Sequence, residues 1–352
     1  MKNTNQRFNQ LVEWLQQPER QLKVDVDSLQ PASTDASFRR YFRAQTVAAQ
    51  KQSIIVMDAP PQQENNPAFV DNQQRLAKAG LKVPQIHEAD LKNGFLLLSD
   101  LGQDTVFHAL HADLAGPALQ SLYRIVLDEL VRMQQADTKA LPVYDAARML
   151  SELELFYHYF LQQHCDITLT EAERQQLDGV FETLVLDNAA YPQVYVHRDF
   201  HSPNLLMPTD NSLQPGVIDF QDAVLGPITY DIASLVMDAR YTWEEEQQID
   251  WAIRYWEKAR AAGLPVPEDF GTFHRAYEWM SIQRNLRILG VFSRLSQRDG
   301  KHHYLEHLPR VLAYLRQAVQ RYELFNPLRA LLDRIENKQT VLGLTLNTQP
   351  NS

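Results

Sequence analysis

The sequence predicts an α+β chain in two lobes: a small β-rich lobe over residues 1–99, a hinge at 100–102, and a larger, mainly helical lobe over 103–352. Three observations predict it. The first hundred residues carry short apolar runs of strand length around one main helical stretch. From Asp104 onward the apolar spacing turns to the helical period. A chain of 352 residues is also long enough to bury two cores.

In chain order, Met1 to Arg20 is polar and patterned as an amphipathic helix, without the apolar core of a secretory signal. No stretch has the apolar length of a membrane helix, so the cytoplasm is the expected location and no membrane partner is expected. Leu22 to Gln30 has strand character, and a polar turn follows from Pro31 to Ser37. Phe38 to Ala44 is the next strand and Ser53 to Met57 a buried one. Pro60-Pro61 interrupts the chain. Asn66 to Ala79 is a helix with Phe69, Leu76 and Ala77 on one face, ended by Gly80. Gly94 separates two further strands, the second being Phe95 to Ser99. Leu119 to Gln135 carries an apolar stripe through Leu122, Ile125, Val126, Leu130 and Met133. Leu150 to Gln163 is an aromatic-rich helix. Short strands and loops occupy Val194 to Phe220, long helices run from Asp231 to about Ile335, and the polar end from Gln339 is frayed.

Composition excludes several classes. The chain is 44% hydrophobic and 22% charged, an ordinary globular balance. Its formal charge of −10 disfavours nucleic acid as a partner, because duplex binding depends on Lys and Arg neutralising phosphates. The single cysteine, Cys165, has no partner for an intramolecular disulfide and is assigned a structural place.

The chemistry is concentrated in Val194-Tyr195-Val196-His197-Arg198-Asp199-Phe200-His201-Ser202-Pro203-Asn204, which has the form H-R-D-x-x-x-x-N. Fifteen residues beyond Asn204, the apolar run Gly216-Val217-Ile218 ends in Asp219-Phe220. Phosphoryl transfer needs these residue types. Asp219 offers a carboxylate and Asn204 a neutral amide oxygen to Mg²⁺, while Asp199 is left to orient or deprotonate an attacking hydroxyl. As single residues, Asp199 could be a turn former and Asn204 a helix cap. Four matched positions and a second apolar-Asp motif favour the catalytic reading. His197 is expected to serve in packing.

Through these motifs the sequence resembles the aminoglycoside phosphotransferase and choline kinase-like family, relatives of the protein kinases, over nearly its whole length. The resemblance implies a bilobal protein-kinase-like fold, ATP as phosphoryl donor and Mg²⁺. Gly226-Pro227-Ile228-Thr229-Tyr230-Asp231 looks like that family's element after the Mg²⁺ aspartate. Asp231 there is either a helix cap or a substrate contact. A closer likeness, to the bacterial anomeric kinases of cell-wall amino sugars, lies in Thr34-Asp35-Ala36-Ser37-Phe38-Arg39-Arg40-Tyr41-Phe42-Arg43, Met57-Asp58-Ala59-Pro60-Pro61, Ile218-Asp219-Phe220-Gln221-Asp222-Ala223 and Leu289-Gly290-Val291-Phe292-Ser293-Arg294-Leu295. It implies phosphorylation of the C1 hydroxyl of N-acetylmuramate and N-acetylglucosamine in peptidoglycan recycling.

Two standard kinase parts are missing. There is no G-x-G-x-x-G loop, and the first glycine is Gly80. The turn with Ser33, Thr34, Asp35 and Ser37 is left to meet the nucleotide phosphates through small side chains and backbone N–H groups. The usual strand lysine is absent too. Arg39, Arg40 and Arg43 are its candidates, with no choice among them, and Asp100 joins them in the nucleotide set. For the acceptor, Arg284 and Arg294 within a basic run, together with Asp231, are the substrate candidates. Two rival readings stand: a kinase of an aminoglycoside, choline or other amino alcohol, and a non-catalytic scaffold of kinase shape. Neither the oligomeric state nor a protein partner follows from the sequence.

Overall fold

The computed structural model describes residues 2–33, 38–112, 114–209 and 213–341. They form two compact units, Met1–Leu119 with Pro203–Ala223, and Gln120–Ser202 with Val224–Ser352. The 100–102 segment therefore lies inside the first unit, which also takes in the chain after Pro203. Hydrogen bonds explain why. Met207 N–H donates to the Asp104 carbonyl at 2.7 Å, Val217 N–H to Lys82 at 2.8 Å, and the Gln214 side chain to Gly80 at 2.8 Å.

The first unit is built on five antiparallel strands in the order β1-β2-β3-β5-β4. They are β1 (Val24–Ser33), β2 (Arg40–Thr46), β3 (Ser53–Asp58), β4 (Ile86–Asp90) and β5 (Phe95–Ser99). Pro31 to Ser33, expected in a turn, instead continue β1, because Pro31 pairs with Phe42 and Ser33 with Tyr41. Helix α1 (Lys2–Leu15) seals one face with Leu11, Trp14 and Leu15 against Val24, Ala44, Ile54, Val56, Phe95 and Leu97. Burial of this apolar surface is the main force holding the helix there. Helix α2 (Asn66–Lys78) starts where the Asn65 side chain accepts the Ala68 N–H at 3.1 Å. Gly94 turns β4 into β5 with φ +74°, and a Cβ there would meet the Ala59 carbonyl oxygen at 1.9 Å, so only glycine fits. The unit also holds α3 (Val106–His111) and the hairpin β7 (Leu205–Leu206)–β8 (Gly216–Val217).

The second unit is largely helical. Helix α4 (Gly116–Gln134) leads into it, followed by α5 (Ala146–Leu155), which passes directly into a π-helical segment, Phe156–His164. The sequence predicts one helix here. The wider turn suits a stretch in which Phe156, Tyr157, Phe160 and Leu161 are all buried. Helix α6 (Glu171–Ala190) precedes the ribbon β6 (Gln193–Val196)–β9 (Val224–Pro227). Then come α7 (Tyr230–Val236), α8 (Glu245–Ala261), α9 (Phe270–Asp299), α10 (Leu308–Val319) and α11 (Asn326–Val341). The 30-residue α9 is the central helix. At Gly290 it approaches the α5 end so closely that a Cβ would lie 2.5 Å from the Leu155 carbonyl carbon. No helix among the described residues is long and apolar enough to cross a membrane.

Candidate active site

In the first unit a cavity of about 350 Å³ is lined by Tyr41, Arg43, Ile55, Phe69, Leu98 to Gln103, Asn204, Leu206, Ile218 and Asp219. Ile55, Leu98, Leu206 and Ile218 give it an apolar lining, and Asn204 and Asp219 give it polar groups. That division suits a ligand with a flat ring at one end and charge at the other. Phe220 is buried and packs tilted against Phe69 of α2, ring centres 5.0 Å apart, which anchors the backbone beside Asp219. The Asp219 carboxylate accepts from the Gln221 side chain at 2.8 Å and lies 3.4 Å from the Asn204 amide nitrogen. Among the described residues no cluster of three or more His, Cys, Asp or Glu could hold a metal unaided. The available pair is all-oxygen once the Asn204 amide turns its Oδ1 inward. Such a pair fits a hard cation that takes its remaining ligands from phosphate and water.

The three arginine candidates have different fates. Arg39 is buried and paired with Glu64 at 2.7 Å. Arg40 pairs with Asp58, its cross-strand partner, and Asp58 also holds Arg7 of α1 at 2.6 Å. Arg43 lines the cavity. It holds Asp100 in a fork, Nε to Oδ2 at 2.6 Å and Nη2 to Oδ1 at 3.1 Å, and donates to the Gly102 carbonyl at 3.0 Å. Burial pushes the Asp100 carboxyl up, but hydrogen bonds from Arg43, Ser53 and the Gly102 N–H outweigh it and hold it below its ordinary range. Ser33 ends β1, and Thr34, Asp35 and Ser37 lie outside the described residues.

The Arg43 fork yields a prediction. Arg43→Ala is expected to weaken nucleotide binding about tenfold, as the loss of a charge-assisted contact to the 100–102 segment would. Arg43→Lys should restore only part, since an ammonium cannot reproduce the fork. Titration calorimetry reads both. Equal affinity in wild type and Arg43→Ala would remove Arg43 from the nucleotide set.

In the second unit, half-buried Asp199 is surrounded by cations. Burial alone would raise its pKa, yet the guanidiniums of Arg287 above all, and of Arg198 and Arg284, hold it far below the usual carboxylate range. It is therefore ionised at every physiological pH. The loop carrying it is fastened from behind. Buried Asp231 accepts the His197 N–H at 2.7 Å and the Arg198 N–H at 3.0 Å. The α7 carboxylate that was expected to cap a helix or touch substrate thus serves the Asp199 loop. Burial pushes Asp231 up to about 7 in spite of those two bonds. Buried Asp238 takes the Ser202 N–H at 3.1 Å together with its hydroxyl. Arg198 pairs with Glu152, which also holds Arg287 at 3.3 Å and the Tyr144 hydroxyl at 2.6 Å.

Backbone strain marks both motifs. Arg198 has φ +77° and Asp219 φ +68°, in a region that non-glycine residues seldom occupy. Such conformations cost about 1–3 kcal/mol each and persist where surrounding bonds impose them. They aim the side chains on either side of Arg198, and that of Asp219, away from a regular strand path. On α9, Arg284, Arg287 and Arg294 share one stripe, Arg284 buried and Arg294 partly exposed. Sequence reasoning missed Glu152, His201 and Asp238 as members of this group.

The phosphotransferase enzyme family model matches residues 28–279. The chain belongs to the phosphotransferase enzyme family. Among its relatives in that family are proteins named N-acetylmuramate/N-acetylglucosamine kinase. The one from Neisseria meningitidis serogroup B is 44% identical over 97% of this chain and 99% of its own. The one from Pseudomonas putida is 42% identical over 90% of this chain and 92% of its own. Among solved structures, choline kinase LicA from Streptococcus pneumoniae matches with a TM-score of 0.59 at 13% identity, over 89% of this chain and 99% of that one. ADP-bound aminoglycoside phosphotransferase APH(2'')-Ib matches with a TM-score of 0.55 at 12% identity, over 88% and 97%. These likenesses give the protein-kinase-like fold, and membership makes the protein a small-molecule kinase that uses a nucleotide.

Proposed function

We propose that the protein transfers the γ-phosphoryl group of ATP to the anomeric hydroxyl of N-acetylmuramate and N-acetylglucosamine, in the cytoplasm, as a step of cell-wall recycling. The observation that carries this reading is full-length kinship with kinases named for those two sugars. A local feature supports it over an aminoglycoside or choline acceptor. Arg198, Arg284 and Arg287 stand around Asp199, and three guanidiniums disfavour a cationic substrate whatever the charge of the whole chain.

In this reading the cavity of the first unit receives the nucleotide, with residues 100–102 as the hinge. Asp219 and Asn204 would hold Mg²⁺, which when bound neutralises charge on the phosphate oxygens. Asp199 accepts a hydrogen bond from the C1 hydroxyl and takes its proton as the new P–O bond forms. The bridging P–O bond breaks, and its electron pair leaves with the nucleoside diphosphate. An anomeric hydroxyl is more acidic than a simple alcohol, so a carboxylate kept ionised by its neighbours is base enough.

The test compares N-acetylmuramate, N-acetylglucosamine, kanamycin and choline as acceptors, with the product read by phosphorus NMR. A sugar 1-phosphate is expected. Turnover confined to kanamycin or choline would overturn the acceptor, and no turnover with any of them would overturn the catalytic reading.

A further inference from the structure

We propose that Arg240 and Arg284 form a carboxylate subsite for the acceptor, through which the protein engages the lactyl group of N-acetylmuramate. This rests on the acceptor class proposed above. The argument begins with a buried charge. Arg284 of α9 is only 3% exposed, its Nη1 donates to the Met237 carbonyl at 3.1 Å, and its Nε has no partner. Among the described residues no carboxylate lies within ion-pair distance of it. Asp199 and Asp238 offset part of its charge from beyond ion-pair distance, and a buried guanidinium without a direct partner keeps donors for an arriving anion.

Three residues past Met237 stands Arg240, partly exposed rather than buried. Its guanidinium lies 5.9 Å from the Phe292 ring centre and pairs with no carboxylate among the described residues. Asp238 is close to both arginines but already engaged, by Ser202 through its N–H and hydroxyl and by the Arg240 backbone N–H at 2.9 Å. Other cations of the region have partners: Arg198 and Arg287 share Glu152, and Arg310 donates to the Ala239 carbonyl and the Thr242 hydroxyl.

His201 ties this pair to the reacting end. Its backbone N–H donates to the Asp199 carbonyl at 3.1 Å, and its ring, 7% exposed, has an Nδ1 without a partner. The ring lies in the field of Asp199, Arg240 and Arg284 alike. Burial and Arg240 push its pKa down to about 3, so at neutral pH it is an uncharged hydrogen-bonding group rather than a third cation. Two unpaired guanidiniums and a neutral imidazole, beside the carboxylate that meets the reacting hydroxyl, suit a substrate with a hydroxyl at one end and a carboxylate at the other. N-acetylmuramate is N-acetylglucosamine carrying a lactyl ether, so the two sugars differ in that ether group, and the carboxylate is the only charge it brings.

The full-length protein and its Arg240→Ala variant are assayed with both sugars at saturating ATP. The expected result is a fall of about tenfold or more in the ratio of kcat/KM for N-acetylmuramate to that for N-acetylglucosamine, the loss of a charge-assisted hydrogen bond. Arg240→Lys should recover part of the ratio, and circular dichroism checks that both variants fold. Arginines that serve the transferred phosphoryl group instead would depress both sugars equally, and an unchanged ratio overturns the subsite. A wild-type protein that phosphorylates neither sugar overturns the acceptor reading itself, and the subsite with it.

Discussion

Asp199→Asn is expected to lower kcat by about 10²–10⁴-fold, the usual worth of a positioned general base. The amide keeps the size of the side chain and can still accept a hydrogen bond, but it cannot take a proton. The fold should survive, because the loop is held by Asp231 and Asp238 through backbone and Ser202 contacts that do not involve the Asp199 carboxylate. ATP affinity should also survive, since Asp199 is not among the residues lining the cavity of the first unit. The measurement is kcat at saturating ATP and sugar, with ATP affinity by calorimetry alongside. Near wild-type turnover would refute the assignment. The same environment predicts a pH profile. Arg287 and its neighbours depress the Asp199 pKa, so its carboxylate stays charged as pH falls through the neutral and mildly acidic range. An acid limb of kcat near pH 6–7 is therefore not expected from Asp199.

The motifs that could be read in the sequence are those whose partners are near in the chain. Asp199, Asn204 and Asp219 fall within one short segment, and their residue types answer one chemical demand. The strands and α2 were also legible, since their signals (alternation, proline breaks and the glycine after Ala79) are local. What escaped depends on distant partners. Asp231 looked like a cap because it opens α7, yet its carboxylate bonds to N–H groups 33 and 34 residues earlier. Glu152 lies 46 residues before Arg198, and nothing in its own helix distinguishes it from a solvated acid. Arg39, Arg40 and Arg43 are equivalent candidates in the sequence, but the chain enters β2 only at Arg40. The three arginines were then sorted by Glu64, Asp58 and Asp100, carboxylates that only the folded sheet brings near. The π-helical segment escaped because its aromatic spacing also satisfies an ordinary helix.

Asp219→Ala is expected to abolish the Mg²⁺ dependence of ATP binding. Loss of a residue that merely supports a metal ligand typically costs about 10–100-fold in metal affinity, so loss of the only carboxylate in the proposed pair should exceed that. Asp219 lines the cavity with Asn204 and is held by Gln221 at 2.8 Å. Its φ of +68° is a conformation that aspartate tolerates better than alanine, so the variant also loses local backbone stability. Asp219→Asn separates the two effects, because it keeps the shape and a tolerance for positive φ while removing the charge. Asn204→Ala should weaken the metal less, since a neutral oxygen contributes no charge. Calorimetric titration with ATP, with and without Mg²⁺, gives the order: wild type, then Asn204→Ala, then Asp219→Asn, then Asp219→Ala with no metal dependence left. If Asp219→Asn responds to Mg²⁺ as the wild type does, the carboxylate is not the metal ligand, and the role falls to another group.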